Sequence, residues 1–182
     1  MNDERSLEDR VADAQGGGGG IVGLPPLQPF GLVLHHDGRW SHEGQPILNR
    51  KLREKFDSSV AYLPEEAKYV VRVGKFCGQI EIEEAGFFVR ALDLETGEVA
   101  LSDGSREGLR TQSLRTSPLD GALLCQVKED LSEGGLPARF CHGAQADLLG
   151  AVEAEGDGFW VLLGEERARL PDALARPLAG GD

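Results

Sequence analysis

The sequence predicts an α+β fold of two small lobes, each a helix packed on antiparallel strands, and three observations carry that prediction. Short apolar runs with period-two alternation recur along the chain, as in Gln79-Ile80-Glu81-Ile82-Glu83. Glycine, 25 of 182 residues, punctuates those runs as turn residues do. Two stretches outside the N-terminal tail carry helical spacing: Leu52, Phe56, Val60 and Leu63 after Asn49, and Phe140, Cys141, Ala144, Leu148 and Val152 after Pro137.

Taken in order, residues 1–28 read as a disordered tail and proline-rich lead-in. Five consecutive glycines, Gly16 to Gly20, lose more backbone entropy on ordering than any other tract of that length. Gly23 to Pro29 has polyproline character, read here as an extended approach to the first strand. Leu32-Val33-Leu34 opens that strand, and Asp37-Gly38 predicts a two-residue hairpin turn. Trp40 lies on the returning strand, where burial against the next helix would make it the largest apolar contributor and oblige its indole N–H to find a partner. Glu43-Gly44 is a second turn. Asn49 is a candidate N-cap for a helix that Pro64 ends.

Tyr69 to Val73 and Gln79 to Glu83 read as paired strands around a turn at Gly74. Phe87 to Leu94 and Val99 to Leu101 flank a hairpin at Glu95-Thr96-Gly97-Glu98, and Asp103-Gly104 closes the first lobe, residues 29–104. The second lobe, residues 105–174, starts with a polar region, Ser105 to Leu119, expected to be loop with one short strand. A strand over Ala122 to Val127 follows, then a helix with Pro137 as first residue that ends before Gly156. Phe159 to Leu163 and Arg167 to Leu170 form a last hairpin around Gly164-Glu165-Glu166, and residues 175–182 fray. An aromatic, an apolar run and a turn glycine follow each helix, at Tyr69 to Gly74 and Phe159 to Gly164, which suggests a helix-hairpin motif used twice.

Charge narrows the partners. With 31 acidic against 19 basic residues the net charge is −12, a field that repels nucleic acid and anionic membranes. No apolar run is long enough to span a bilayer, and the acidic start MNDERSLEDR lacks the apolar core of a secretory signal. Three widely spaced cysteines, Cys77, Cys125 and Cys141, read as free thiols of a reducing compartment, so a cytoplasmic location is expected.

The segment bearing Asp37-Gly38, Trp40, Glu43-Gly44 and Pro46-Ile47, then a basic amphipathic helix ending in Phe56, then an Ile-x-Ile-Glu strand leading to Phe87, resembles the uncharacterised bacterial family known as domain of unknown function 1285. The resemblance covers Pro25 to Phe88 and continues only loosely after Pro137. It implies two α+β lobes built from a repeated motif and a suggested part in ligand binding or signal transduction, with no catalytic residues. Where such proteins tend to carry Thr-Pro-x-Glu between the two central strands, this chain has Val73-Gly74-Lys75-Phe76-Cys77-Gly78, which implies an altered or lost site if that stretch lines one.

Few residues offer chemistry. Arg50, Lys51, Arg53 and Lys55, broken only by Glu54, form the one dense basic cluster of an acidic chain and, with Trp40, are the candidate ligand or partner residues. The plainer reading is a solvated helix face with an Arg50–Glu54 pair. His35 and His42 are expected to approach across the first hairpin, whereas His35 and His36 point to opposite faces and cannot share a metal undistorted. Cys141 falls on an apolar helical stripe, which favours core packing over a nucleophile's electropositive setting. Glu81, Glu83 and Glu84 alternate with isoleucines as on any half-exposed strand. The glycine tract lacks the Gly-Lys-Ser/Thr ending of a phosphate loop.

The expected function is a cytosolic, non-enzymatic module that binds a small ligand or a protein, with no cofactor and no metal. Two other readings compete with it. One is an enzyme using Cys141 or the His35/His42 pair; the other is an interaction protein whose basic helix, residues 50–55, docks an acidic partner. The oligomeric state is left open.

Overall fold

A computed structural model describes residues 29–174, so the expectations for the two tails lie outside the described residues. The described chain is mostly β-sheet with two short helices and forms two compact units, one ending at Gly86 and the other starting at Phe87. The boundary expected after Gly104 lies inside the second unit.

The first unit holds β1 (Pro29–Leu34), β2 (Trp40–His42), β3 (Gln45–Pro46), α1 (Arg50–Asp57), β4 (Val60–Leu63), β5 (Lys68–Val73) and β6 (Phe76–Ile82). Its strands make one sheet in the order β3-β2-β1-β6-β5-β4. Each half is an antiparallel meander, but the central pair, β1 and β6, is parallel. That corrects the expectation of purely antiparallel strands.

The second unit holds β7 (Phe87–Asp93), β8 (Glu98–Leu101), β9 (Arg106–Gly108), β10 (Arg115–Thr116), β11 (Leu123–Val127), β12 (Leu136–Phe140), α2 (His142–Gly150), β13 (Val152–Glu155), β14 (Gly158–Leu163) and β15 (Glu166–Arg169). Its first six strands run in the order β10-β11-β12-β7-β8-β9, with β7 and β12 parallel at the centre. The connectivity is that of the first sheet: an outward meander, a helical turn, and an inward meander whose last strand joins the first. β13, β14 and β15 form a separate antiparallel sheet. The strands after α1 are therefore half of a six-stranded sheet, whereas those after α2 stand alone. The segments that match in connectivity are residues 29–82 and 87–140, not the two helix-hairpin segments.

The first helix stops sooner than its apolar spacing predicts. The Asn49 side chain caps it by accepting from the Leu52 amide at 3.1 Å, and it ends at Asp57, where Ser58 and Ser59 return hydroxyl bonds to the Lys55 carbonyl. Val60 and Leu63, read as the helix's last turns, belong to β4 and pair with Val71 and Lys68. Serines that bond the backbone compete with the helix ladder, and β-branched Val60 prefers the sheet. The second helix is shortened at its start: Leu136–Phe140 is a strand, and the helix begins at His142. Pro137 is tolerated because it sits ahead of the parallel ladder to β7, which opens at Ala138.

The first hairpin differs by one residue from the two-residue turn expected. Leu34 pairs with Trp40 and Val33 with Ser41, and the His35 amide donates to the Arg39 carbonyl while Gly38 donates to the carbonyl of His35. The loop is thus His36-Asp37-Gly38, with Gly38 left-handed at φ 82°. A one-residue slip moves every side chain to the other face, and burial decides which register wins. In this one Leu32, Leu34 and Trp40 share the inner face and are at most 1% exposed. Trp40 packs on Phe56, itself fully buried, with ring centroids 5.3 Å apart. The turn at Glu43-Gly44 is the two-residue loop expected, both residues left-handed.

Candidate functional site

The β1–β2 loop and the end of β6 surround a cleft of about 390 Å³ lined by His35, His36, Arg39, Trp40, Ser41 and Glu83 among others. Glu83 comes to this place because β6 runs parallel to β1 and its amide continues the ladder to the carbonyl of Leu34. Its Oε2 accepts from the backbone N–H of His36 at 2.6 Å, lies 2.6 Å from Nδ1 of the same ring and 3.7 Å from Nδ1 of His35. The His36 amide, then its ring, hold the Glu83 carboxyl below the usual carboxylate range.

Asp37 is committed in the same way. Burial pushes its carboxyl up, but the Arg39 amide at 3.0 Å and guanidinium Nε at 2.5 Å outweigh that and hold it low. Both acidic groups of the cleft are thus engaged by neighbours, whereas Nε2 of His36 and the terminal nitrogens of Arg39 keep their hydrogen-bonding capacity. Behind them His35 Nε2 lies 2.9 Å from Ser41 Oγ, and Trp40 Nε1 donates to Asp57 at 2.8 Å.

Of the residues singled out from the sequence, Trp40 and His35 reach this cleft. His42 does not: the register sets it opposite Leu32, and its ring lies 5.7 Å from that of Phe30, so the expected His35/His42 pair is not formed. Arg50, Lys51 and Lys55 are exposed on α1, with Arg50 bonded to Glu54 at 2.7 Å; none of them, nor Arg53, lines the cleft. Arg53 is half-buried and its Nε is without a partner. Cys141 is not on a helical stripe but at the N-cap of α2, half-buried, with Arg90 Nη1 donating to its sulfur at 3.5 Å. Among the described residues no group of three or more His, Cys, Asp or Glu converges to hold a metal ion. Nor is any helix among them long and apolar enough to cross a membrane.

Sequence reasoning missed Ser41, Arg39 and His36 as members of one site, and read Glu83 as an ordinary strand carboxylate. Period-two alternation shows which face a residue takes, not which strand lies beside it. The parallel β1–β6 pairing, across more than forty intervening residues, is what unites them.

The second unit carries a smaller, apolar cavity of about 140 Å³, lined by Leu123, Leu148, Leu149, Leu170 and Leu174 beside Gln145 and Thr116. The Gln145 side chain is already occupied, accepting from the Leu123 amide at 2.9 Å. Elsewhere in this unit Lys128 is enclosed by Asp103 at 2.9 Å, Ser105 at 2.8 Å and the ring of Phe87.

No family model and no curated protein matches the chain. Among solved structures it is similar to a DUF1285 family protein from Silicibacter pomeroyi DSS-3, with a TM-score of 0.55 at 16% identity over 88% of this chain and 93% of that one. A DUF1285 family protein from Shewanella baltica OS155 matches at a TM-score of 0.43 and 15% identity, over 67% of this chain and 91% of that one. The resemblance read from residues 25–88 therefore extends, as a likeness of fold to the first of these, over most of the chain.

Proposed function

We propose that the chain is a binding module for a small organic anion, held in the cleft of the N-terminal unit. The observation that carries this reading is the Arg39 guanidinium: Asp37 takes its Nε, while its terminal nitrogens, on a side chain 76% exposed, keep their donors in a cleft also lined by Trp40. A cavity of about 390 Å³ is within the range of small-molecule sites, and a guanidinium with its terminal nitrogens available suits a carboxylate or phosphate. The signal-transduction role expected earlier rests on the family resemblance alone.

Calorimetric titration and thermal shift with a panel of mono- and dicarboxylates and phosphate esters test the reading. Arg39→Gln is expected to weaken binding of the best anion about tenfold or more. No response to any anion at millimolar concentration would sink it. A second reading, the docking of an acidic partner on α1, is favoured by Leu48, 79% exposed one residue before the N-cap and next to the basic side chains. Charge reversal at Arg50, Lys51 and Arg53 separates the two, since it leaves anion binding in the cleft unchanged.

A further inference from the structure

We propose that the cleft is also a hydrolytic centre in which Ser41 is the nucleophile, His35 its base and Glu83 the positioning residue for His35. The inference rests on the anion-binding reading of the same cleft and goes beyond it by assigning a reaction. The geometry is that of an activated hydroxyl. Ser41 Oγ lies 2.9 Å from His35 Nε2, within reach of proton transfer, and the other ring nitrogen, Nδ1, faces Glu83 Oε2 at 3.7 Å. With its proton on Nδ1, the side facing the carboxylate, His35 presents an unprotonated Nε2 to the serine, the tautomer this chemistry requires.

The three residues come from three different strands or their ends, and all line the same cleft. His36 holds Glu83 in place through both its amide and its ring. An ordinary cross-strand hydrogen bond would account for the Ser41–His35 contact alone. Added to that contact are a carboxylate that the β1–β6 register sets beside the other ring nitrogen and a cleft that all three residues line.

The substrate class follows from the cleft: a small carboxylic ester whose acyl or alcohol part carries a second, anionic group for Arg39. Ser41 Oγ bonds to the acyl carbon as its proton passes to His35 Nε2. The ester C–O bond then breaks, and the departing alkoxide takes that proton to leave as the alcohol. Water attacks the acyl-enzyme, gives one proton to His35 and, as the acyl–Oγ bond breaks, Ser41 recovers it, releasing the carboxylic acid. No oxidant or metal enters the balance.

The test uses the full chain and an alkyl fluorophosphonate probe, with the modified peptide mapped by mass spectrometry, beside steady-state hydrolysis of p-nitrophenyl acetate and p-nitrophenyl hemisuccinate. A covalent adduct on Ser41 is expected, lost in His35→Gln, with hydrolysis reduced at least about a hundredfold in Ser41→Ala. Hemisuccinate is expected to be preferred over acetate, a preference that Arg39→Gln removes. Glu83→Gln is expected to lower kcat with KM unchanged, which a purely structural side chain would not do. An unlabelled Ser41 in native protein that still binds anions overturns the hydrolase and leaves the binding reading intact. Ester hydrolysis that survives Ser41→Ala also overturns it. Absence of anion binding removes both.

Discussion

At the scale of single residues, Trp40 shows how one side chain serves fold and site together. Its ring is almost wholly buried on Phe56, and its indole N–H is satisfied by Asp57 at 2.8 Å, so the group that walls the cleft also ties β2 to the end of α1. Trp40→Ala is expected to destabilise the protein by about 3–5 kcal/mol and Trp40→Phe by only about 1 kcal/mol, since the second keeps the apolar contact and loses one hydrogen bond. Urea titration followed by circular dichroism measures both. Equal losses in the two variants would mean that the hydrogen bond, not the packing, is what matters at this position. Trp40, its apolar surroundings and its need for a partner were legible in the sequence; that Asp57 is the partner was not, because the helix was expected to run past it.

At the scale of elements, turns decide what faces the cleft. Two Asp-Gly loops adopt the same three-residue form, one after His35 and one after Leu101, each closed by the same pair of backbone bonds and by an aspartate accepting from the amide two residues on. Left-handed glycine is required in both, at φ 82° for Gly38 and 86° for Gly104. Gly38→Ala is expected to destabilise by about 1–2 kcal/mol, the usual penalty for a Cβ in that region, and to weaken anion binding by loosening His36 and Arg39. Gly143→Ala, in α2 with open space around its Cβ position, is the contrasting case and is expected to stabilise by up to about 1 kcal/mol. Thermal melts of the two variants check this; a neutral or stabilising Gly38→Ala would contradict the loop geometry. The Asp-Gly signal was readable as a turn, but its length was not, because burial of Leu34 with Trp40 selects the register.

At the scale of the whole molecule, the pH dependence of stability follows from groups in both units. Burial pushes the Cys125 thiol from its ordinary 9.0 up to about 12, and burial with the neighbouring Tyr62 pushes the Tyr69 phenol from 10.0 to about 12. A raised folded value means stability that is complete below the unfolded one and lost as pH rises, so the Tm is expected to fall between about pH 9 and 12. Asp37, Glu83 and Asp103 have lowered values; for Asp103, burial pushes upward but Lys128 and Ser105 outweigh it. Their contribution is present above the ordinary carboxylate range and lost as pH falls through it, giving an acid limb below about pH 4. Calorimetry across pH checks both limbs. Cys125→Ala is expected to flatten the alkaline one, and an unchanged slope in that variant would show that the buried thiol is not its source.

Residues a few positions apart were enough to place the turns, though not the length of the first hairpin, and to give the Asn49 cap, the inward positions of Leu32, Leu34, Trp40 and Phe56, and the α+β class. Apolar spacing overran the first helix at its end and the second at both ends, where flanking strands take the residues, since a spacing of three or four looks the same until a sheet claims them. The parallel pairing of β1 with β6 and of β7 with β12 came from the folded chain and not from any local pattern. Such pairing joins segments separated by a whole meander, and no local spacing records which distant strand will satisfy a strand's open edge. Glu83 meets His35, His36 and Ser41 for that reason alone.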